Sequence, residues 1–97
     1  MCGAPKQGGA LAGVDLATQT VIQGQVWHDG APVAGAYVRL LDATDEFTAE
    51  VVTSPEGEFR FFAAPGDWTL RALSARGNCE VALVAGTGIN ETELALA

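Results

Sequence analysis

The sequence has 97 residues, of which 48% are hydrophobic and 18% charged, which is the composition of one small globular domain rather than of a disordered chain. Its formal net charge is −7, and its five basic residues are scattered, so it should repel phosphate backbones and anionic lipid surfaces. Nucleic acid and membranes are therefore excluded as expected partners, and a basic or neutral protein is favoured.

Cys2 and Cys79 are the only cysteines in the sequence, and neither lies in a CxxC pair or at a zinc-ligand spacing. Neither a disulfide framework nor a metal site is expected, and nothing in the sequence predicts a cofactor. The N-terminal residues are too rich in glycine to form the apolar core of a signal peptide. These features together predict a cytoplasmic protein with reduced thiols.

The first 19 residues show no hydrophobic period and contain four glycines, which predicts a flexible N-terminal arm over 1–19. The expected domain covers residues 20–97. In its first segment, Ile22 and Val26 alternate with outward-pointing polar and aromatic side chains, as in a half-buried strand. The sequence Asp29–Pro32 then predicts a turn.

Alternation restarts after each later turn signal. The sequence 54–57 has proline at its second position and glycine at its last, so it predicts a type I turn that closes a hairpin between its flanking strands. No segment has a helical period. The pattern predicts an all-β fold, a single seven-stranded antiparallel β-sandwich. Its later strands are expected at 36–42, 47–53, 58–62, 68–73, 79–85 and 89–96.

Strand parity also selects the expected core, with Phe59 and Trp68 at its centre. Trp27 and Tyr37 both have outward parity, and their strands are expected to be neighbours. The two residues therefore predict a small apolar interaction face. Such patches bind proteins more often than sugars, but carbohydrate binding through Trp27 is an alternative. The predicted core consists of Ile22, Val26, Val38, Leu40, Val51, Phe59, Phe61, Trp68, Leu70, Leu83 and Leu94.

Four segments, Ile22–Val26, Gly30–Val38, Gly57–Phe59 and Pro65–Leu70, resemble the carboxypeptidase regulatory-like domain. The resemblance covers roughly residues 20 to 75. It implies a transthyretin-like sandwich, a fold that hosts many functions and therefore specifies none. The transthyretin-like hydrolase of the purine pathway relies on several histidines, whereas His28 is the only histidine of this sequence, so hydrolase activity is not expected.

A second resemblance spans nearly the whole chain. Met1–Gln7, Phe47–Val52, Phe59–Gly66 and Trp68–Ala75 are similar to the small actinobacterial proteins of the SseC type. That similarity implies a genomic association with a thiosulfate sulfurtransferase, and it supplies no catalytic residue. The function expected from it is a non-enzymatic accessory or protein-interaction module of sulfur metabolism. The oligomeric state stays open.

Cys2 provides an alternative function. Removal of Met1 would leave this cysteine at the N-terminus, where the ammonium and Lys6 would favour the thiolate that accepts a sulfane sulfur. Cys2 is therefore a candidate sulfur acceptor of a carrier protein, while an idle thiol is the simpler interpretation. Cys79 shares a strand face with apolar residues and is expected to be buried and inert.

Overall fold

The computed structural model describes residues 15–96, and their eight β-strands form two facing sheets. The described residues contain no α-helix, which confirms the all-β prediction. The strands are β1 (Thr20–His28), β2 (Ala31–Pro32), β3 (Tyr37–Leu41), β4 (Phe47–Val52), β5 (Glu58–Ala63), β6 (Gly66–Ser74), β7 (Gly77–Ala85) and β8 (Gly88–Ala95).

The first sheet is built around β1, which pairs with β5 and β2 in the antiparallel sense and with β8 in the parallel sense. The second sheet is antiparallel throughout, in the order β4-β3-β6-β7. The prediction of seven antiparallel strands was therefore wrong in two respects. The first and last strands, β1 and β8, pair in parallel, and the structure has an eighth strand, β2, that was not predicted.

Strand β2 was predicted as part of a turn. Asp29 and Gly30 both have positive φ, 53° and 78°, which matches the two-residue turn that the twist of a tight hairpin favours. That turn directs Ala31 back to pair with His28. Ala31 and Pro32 therefore belong to the sheet rather than to a loop.

The turn at 54–57 forms as predicted, because the Gly57 N–H donates to the Ser54 carbonyl oxygen at 2.8 Å. It does not close a hairpin, however. β4 lies in the second sheet and β5 in the first, so the turn carries the chain from one sheet to the other. Turn residues specify a reversal of direction, and they do not specify which strands then pair.

Eight of the eleven predicted core residues are buried, and Val51, Trp68 and Leu83 are half-buried against that core. Phe59 is fully buried and is the largest such side chain. The placement of Trp68 at the centre of the core was wrong. Its indole N–H reaches the rim, where it donates to the Ala64 carbonyl oxygen at 2.8 Å. The eight buried residues are Ile22, Val26, Val38, Leu40, Phe59, Phe61, Leu70 and Leu94.

The buried hydroxyl of Thr53 ties together the segment between β2 and β3. Its Oγ1 donates to the Val33 carbonyl oxygen at 2.7 Å and accepts the Ala36 N–H at 2.9 Å. Both partners are main-chain groups of residues with little or no exposed surface. The side chain therefore replaces hydrogen bonds that no neighbouring strand supplies.

The isosteric change Thr53→Val should cost about 1–3 kcal/mol in the free energy of unfolding, because it leaves a buried N–H and a buried carbonyl without a partner. Urea denaturation followed by circular dichroism measures this change. Thr53→Ser is the matched control, since it keeps the hydroxyl and removes only a methyl group. A valine variant more stable than the serine variant would contradict the importance of these bonds.

Candidate interaction surface

The outer face of the second sheet is the surface of β3, β4, β6 and β7 that points away from the core. Strand register aligns its side chains in rows across the sheet. One row is charged, with an apolar row on either side of it. The face consists of Tyr37, Arg39, Leu41, Phe47, Glu50, Val52, Asp67, Thr69, Arg71, Leu73, Asn78, Glu80, Ala82 and Val84.

The charged row places two arginines in the middle and one glutamate at each edge. Arg39 and Arg71 are directly paired between β3 and β6. Arg39 Nε lies 2.7 Å from Glu50 Oε2, and Arg71 Nη2 lies 2.6 Å from Glu80 Oε2. The four charges cancel, so the middle of this face is electrically neutral. Such exposed pairs contribute only about 0–1 kcal/mol each to stability.

Large hydrophobic side chains on either side of this row are open to solvent. Tyr37 and Val52 are cross-strand partners and are 51% and 54% exposed, while Phe47 and Val84 are 62% and 77% exposed. The described residues contain seven exposed large hydrophobics, and four of them lie on this one face. Exposed hydrophobic residues concentrated on one face are typical of binding surfaces.

A shallow open cavity of about 370 Å³ lies at the end of this face where β6 begins and β7 ends. Trp68 and Leu83 form part of its lining, together with Val84 and the carboxylate residue Asp67. The exposed apolar surface thus continues into a concave site that could receive a side chain of a bound protein.

The outer face of the first sheet has a different character. Arg60 Nε donates to Gln23 Oε1 at 3.0 Å, and Gln23 Nε2 donates to Glu91 Oε2 at 3.1 Å. A small polar cavity of about 110 Å³ beside this network is lined by Glu58, Glu91 and Glu93 among others. Within residues 15–96, no group of three potential ligand side chains is arranged to hold a metal ion.

The structure separates the two residues of the predicted interaction face. Trp27 lies on β1 in the first sheet, where its indole N–H donates to the Glu93 carboxylate, and Tyr37 lies on β3 in the second. Both have the expected outward parity, but β1 and β3 are not neighbours, so the two rings form no common patch. Parity assigns a side chain to one side of its own strand and does not identify the sheet.

Of the two cysteines, only Cys79 lies within residues 15–96. Cys2 lies outside the described residues, as does most of the predicted arm, so its role as sulfur acceptor stays a prediction. Cys79 is half-buried on β7 and packs against the core, and burial raises the pKa of its thiol. A raised pKa lowers the thiolate fraction at neutral pH, and Cys79 is therefore a poor nucleophile.

A family of proteins described as of unknown function, DUF1416, matches residues 2–96. The chain belongs to the DUF1416 family. Relatives include two proteins of Mycobacterium tuberculosis strain H37Rv, both described as uncharacterized. Each is 61% identical over 97% of both chains. A protein of Mycolicibacterium smegmatis is 58% identical over 89% of this chain and 98% of its own.

A solved structure shares the fold of this DUF1416 protein. It is the dioxygenase domain of a dioxygenase carbohydrate-binding protein fusion from the cellulolytic bacterium Streptomyces sp. SirexAA-E. The likeness has a TM-score of 0.62 over 90% of this chain and 84% of that one, at 11% sequence identity. At this identity the likeness concerns the fold alone. Residues 15–96 contain no helix that is long and apolar enough to cross a membrane.

Proposed function

We propose that this protein is a non-enzymatic interaction module of the cytoplasm that binds a partner protein through the outer face of the second sheet. The observation that carries the proposal is that four exposed hydrophobic residues, Tyr37, Phe47, Val52 and Val84, lie on the same face as a neutral row of ion pairs. Aromatic residues and arginine are enriched at protein interfaces.

The charge distribution favours a partner with a neutral or basic surface. The chain carries −7 overall, whereas the charged row of this face sums to zero. An acidic protein would be repelled by the remaining surface before contact. Binding should therefore combine burial of the apolar rows with long-range attraction of a basic partner.

The partner that we propose is a thiosulfate sulfurtransferase. Its support is the resemblance carried by Met1–Gln7 and by the segments from Phe47 to Ala75, together with the relationship to actinobacterial proteins. In this role the module positions or stabilises the sulfurtransferase, and the transfer chemistry belongs to that enzyme.

Val52→Lys should weaken binding to a sulfurtransferase of the same organism by about ten-fold or more, because burying an ammonium in an apolar contact costs at least about 1.4 kcal/mol. Isothermal titration of the purified proteins measures the change in Kd. Ile89→Lys is the matched control. It exchanges a comparably exposed aliphatic residue, 43% against 54%, on the outer face of the first sheet, and it should leave Kd unchanged.

Two results would contradict the proposal in different ways. Binding weakened by Ile89→Lys and not by Val52→Lys would move the binding site to the first sheet. Absence of any heat of binding with the wild-type protein would remove the sulfurtransferase as the partner.

A further inference from the structure

The free edges of the two sheets are not equally protected against pairing with another chain. Natural edge strands are usually short, bulged, charged or interrupted by proline. In the second sheet, β4 has six residues and meets a register shift beside Leu40 and Leu41. In the first sheet, β5 and β2 form one edge, which carries the charged residues Glu58 and Arg60 and the proline Pro32, and β8 forms the other edge with the exposed residues Glu91 and Glu93.

Strand β7 has only one of these protective features, a single charged residue. Its nine residues pair with β6 over their whole length without a register shift, and they include no proline. Glu80 is its only charged residue. Such a long, regular and mostly apolar edge is a template for a further strand.

The core is also incompletely covered along this edge. Cys79, Val81 and Leu83 point inward from β7 and pack against the core, yet each remains only half-buried. The inward residues Leu70 and Ala72 of the adjacent strand β6 are fully buried. A strand added beside β7 would cover the remaining apolar surface of these three side chains.

We propose that β7 pairs with β7 of a second copy in the antiparallel sense, about a twofold axis that passes beside Val81. The pairing joins the two second sheets into one sheet of eight strands. It uses all nine residues, so that Gly77 lies opposite Ala85 and Cys79 opposite Leu83.

The position of Glu80 selects this register and makes the edge complementary to itself. With the axis beside Val81, Glu80 lies opposite Ala82 of the second copy, whose small side chain leaves the ion pair between Glu80 and Arg71 undisturbed. An axis beside Glu80 would place two like charges directly opposite each other, which is destabilising. An axis beside Ala82 would leave Gly77 and Asn78 unpaired.

A pair of substitutions at one exposed position tests this geometry. In the proposed register, Ala82→Lys places an ammonium opposite Glu80 of the second copy, and Ala82→Glu places a carboxylate there. Each contact occurs twice in the dimer, so the dissociation constant should fall by roughly two- to thirty-fold with lysine and rise by a similar factor with glutamate. Sedimentation equilibrium of the full chain over a concentration series measures both constants.

The wild-type mass should move from one copy to two as the concentration rises, with opposite shifts for the two variants. Circular dichroism verifies that both variants keep the wild-type fold. A single-copy mass at every concentration would overturn the proposal, and so would shifts of the same sign for lysine and glutamate. Val52→Lys should leave dimerisation unchanged. Loss of the dimer in that variant would place the contact on the outer face of the sheet instead of the edge.

Discussion

Phe59→Ala should lower the free energy of unfolding by about 3–5 kcal/mol, as the removal of a fully buried aromatic ring typically does. Phe59 has no exposed surface, and its ring centroid lies 6.1 Å from that of Phe61. Its cross-strand partner on β1 is Gly24, which has no side chain to move into the cavity. The loss is a large share of the roughly 5–15 kcal/mol that stabilises a small domain.

Urea denaturation measures this effect, and Phe62→Ala provides the control on the same strand. Phe62 points outward from β5 and is 59% exposed, so its truncation should change stability by no more than about 0.5 kcal/mol. The two variants delete the same atoms from opposite faces of one strand. Equal losses would mean that the inward and outward faces of β5 have been exchanged.

The contrast between Phe59 and Trp68 shows what alternation in a sequence can establish. Both residues have inward parity, and both lie against the core. Only Phe59 is fully buried, whereas Trp68 is half-buried and lines an open cavity. Parity determines the direction of a side chain, but how far the side chain is buried depends on which residues of the facing sheet pack against it.

Long-range pairing is the part of the fold that local pattern could not supply. The parallel contact between β1 and β8 joins residues about seventy positions apart, such as Val26 and Leu94. Alternation and turn chemistry act over a few residues and are the same whether a strand enters one sheet or the other. This is also why the strands on either side of Ser54–Gly57 could be predicted and their assignment to different sheets could not.

The same limit applies to the candidate surface. Tyr37 has outward parity and is exposed, as the sequence indicated. The ion-pair row was missed, although alternation in the sequence already gave outward parity to Arg39 and Arg71, the two arginines in the middle of that row. A charged row of this kind becomes visible only when the register places Glu50 beside one arginine and Glu80 beside the other.

Gly24→Ala should cost about 3 kcal/mol or more, at the upper end of what overpacking costs. A Cβ at this position would lie 1.7 Å from the Thr92 carbonyl oxygen and 3.2 Å from the Phe59 ring. The ring can shift slightly, but the carbonyl belongs to the backbone of β8, so β1 and β8 would have to separate. Thermal unfolding followed by circular dichroism measures the loss.

Gly86→Ala is the matched control for this substitution. No atom lies within 4 Å of the position that its Cβ would occupy, so the added methyl group should change stability by no more than about 0.5 kcal/mol. A glycine is required at Gly24 because two backbones approach closely there, and such a constraint gives no signal in strand alternation. If Gly24→Ala were as stable as Gly86→Ala, β8 would not lie beside β1 at Thr92, and the parallel pairing of the first sheet would be wrong.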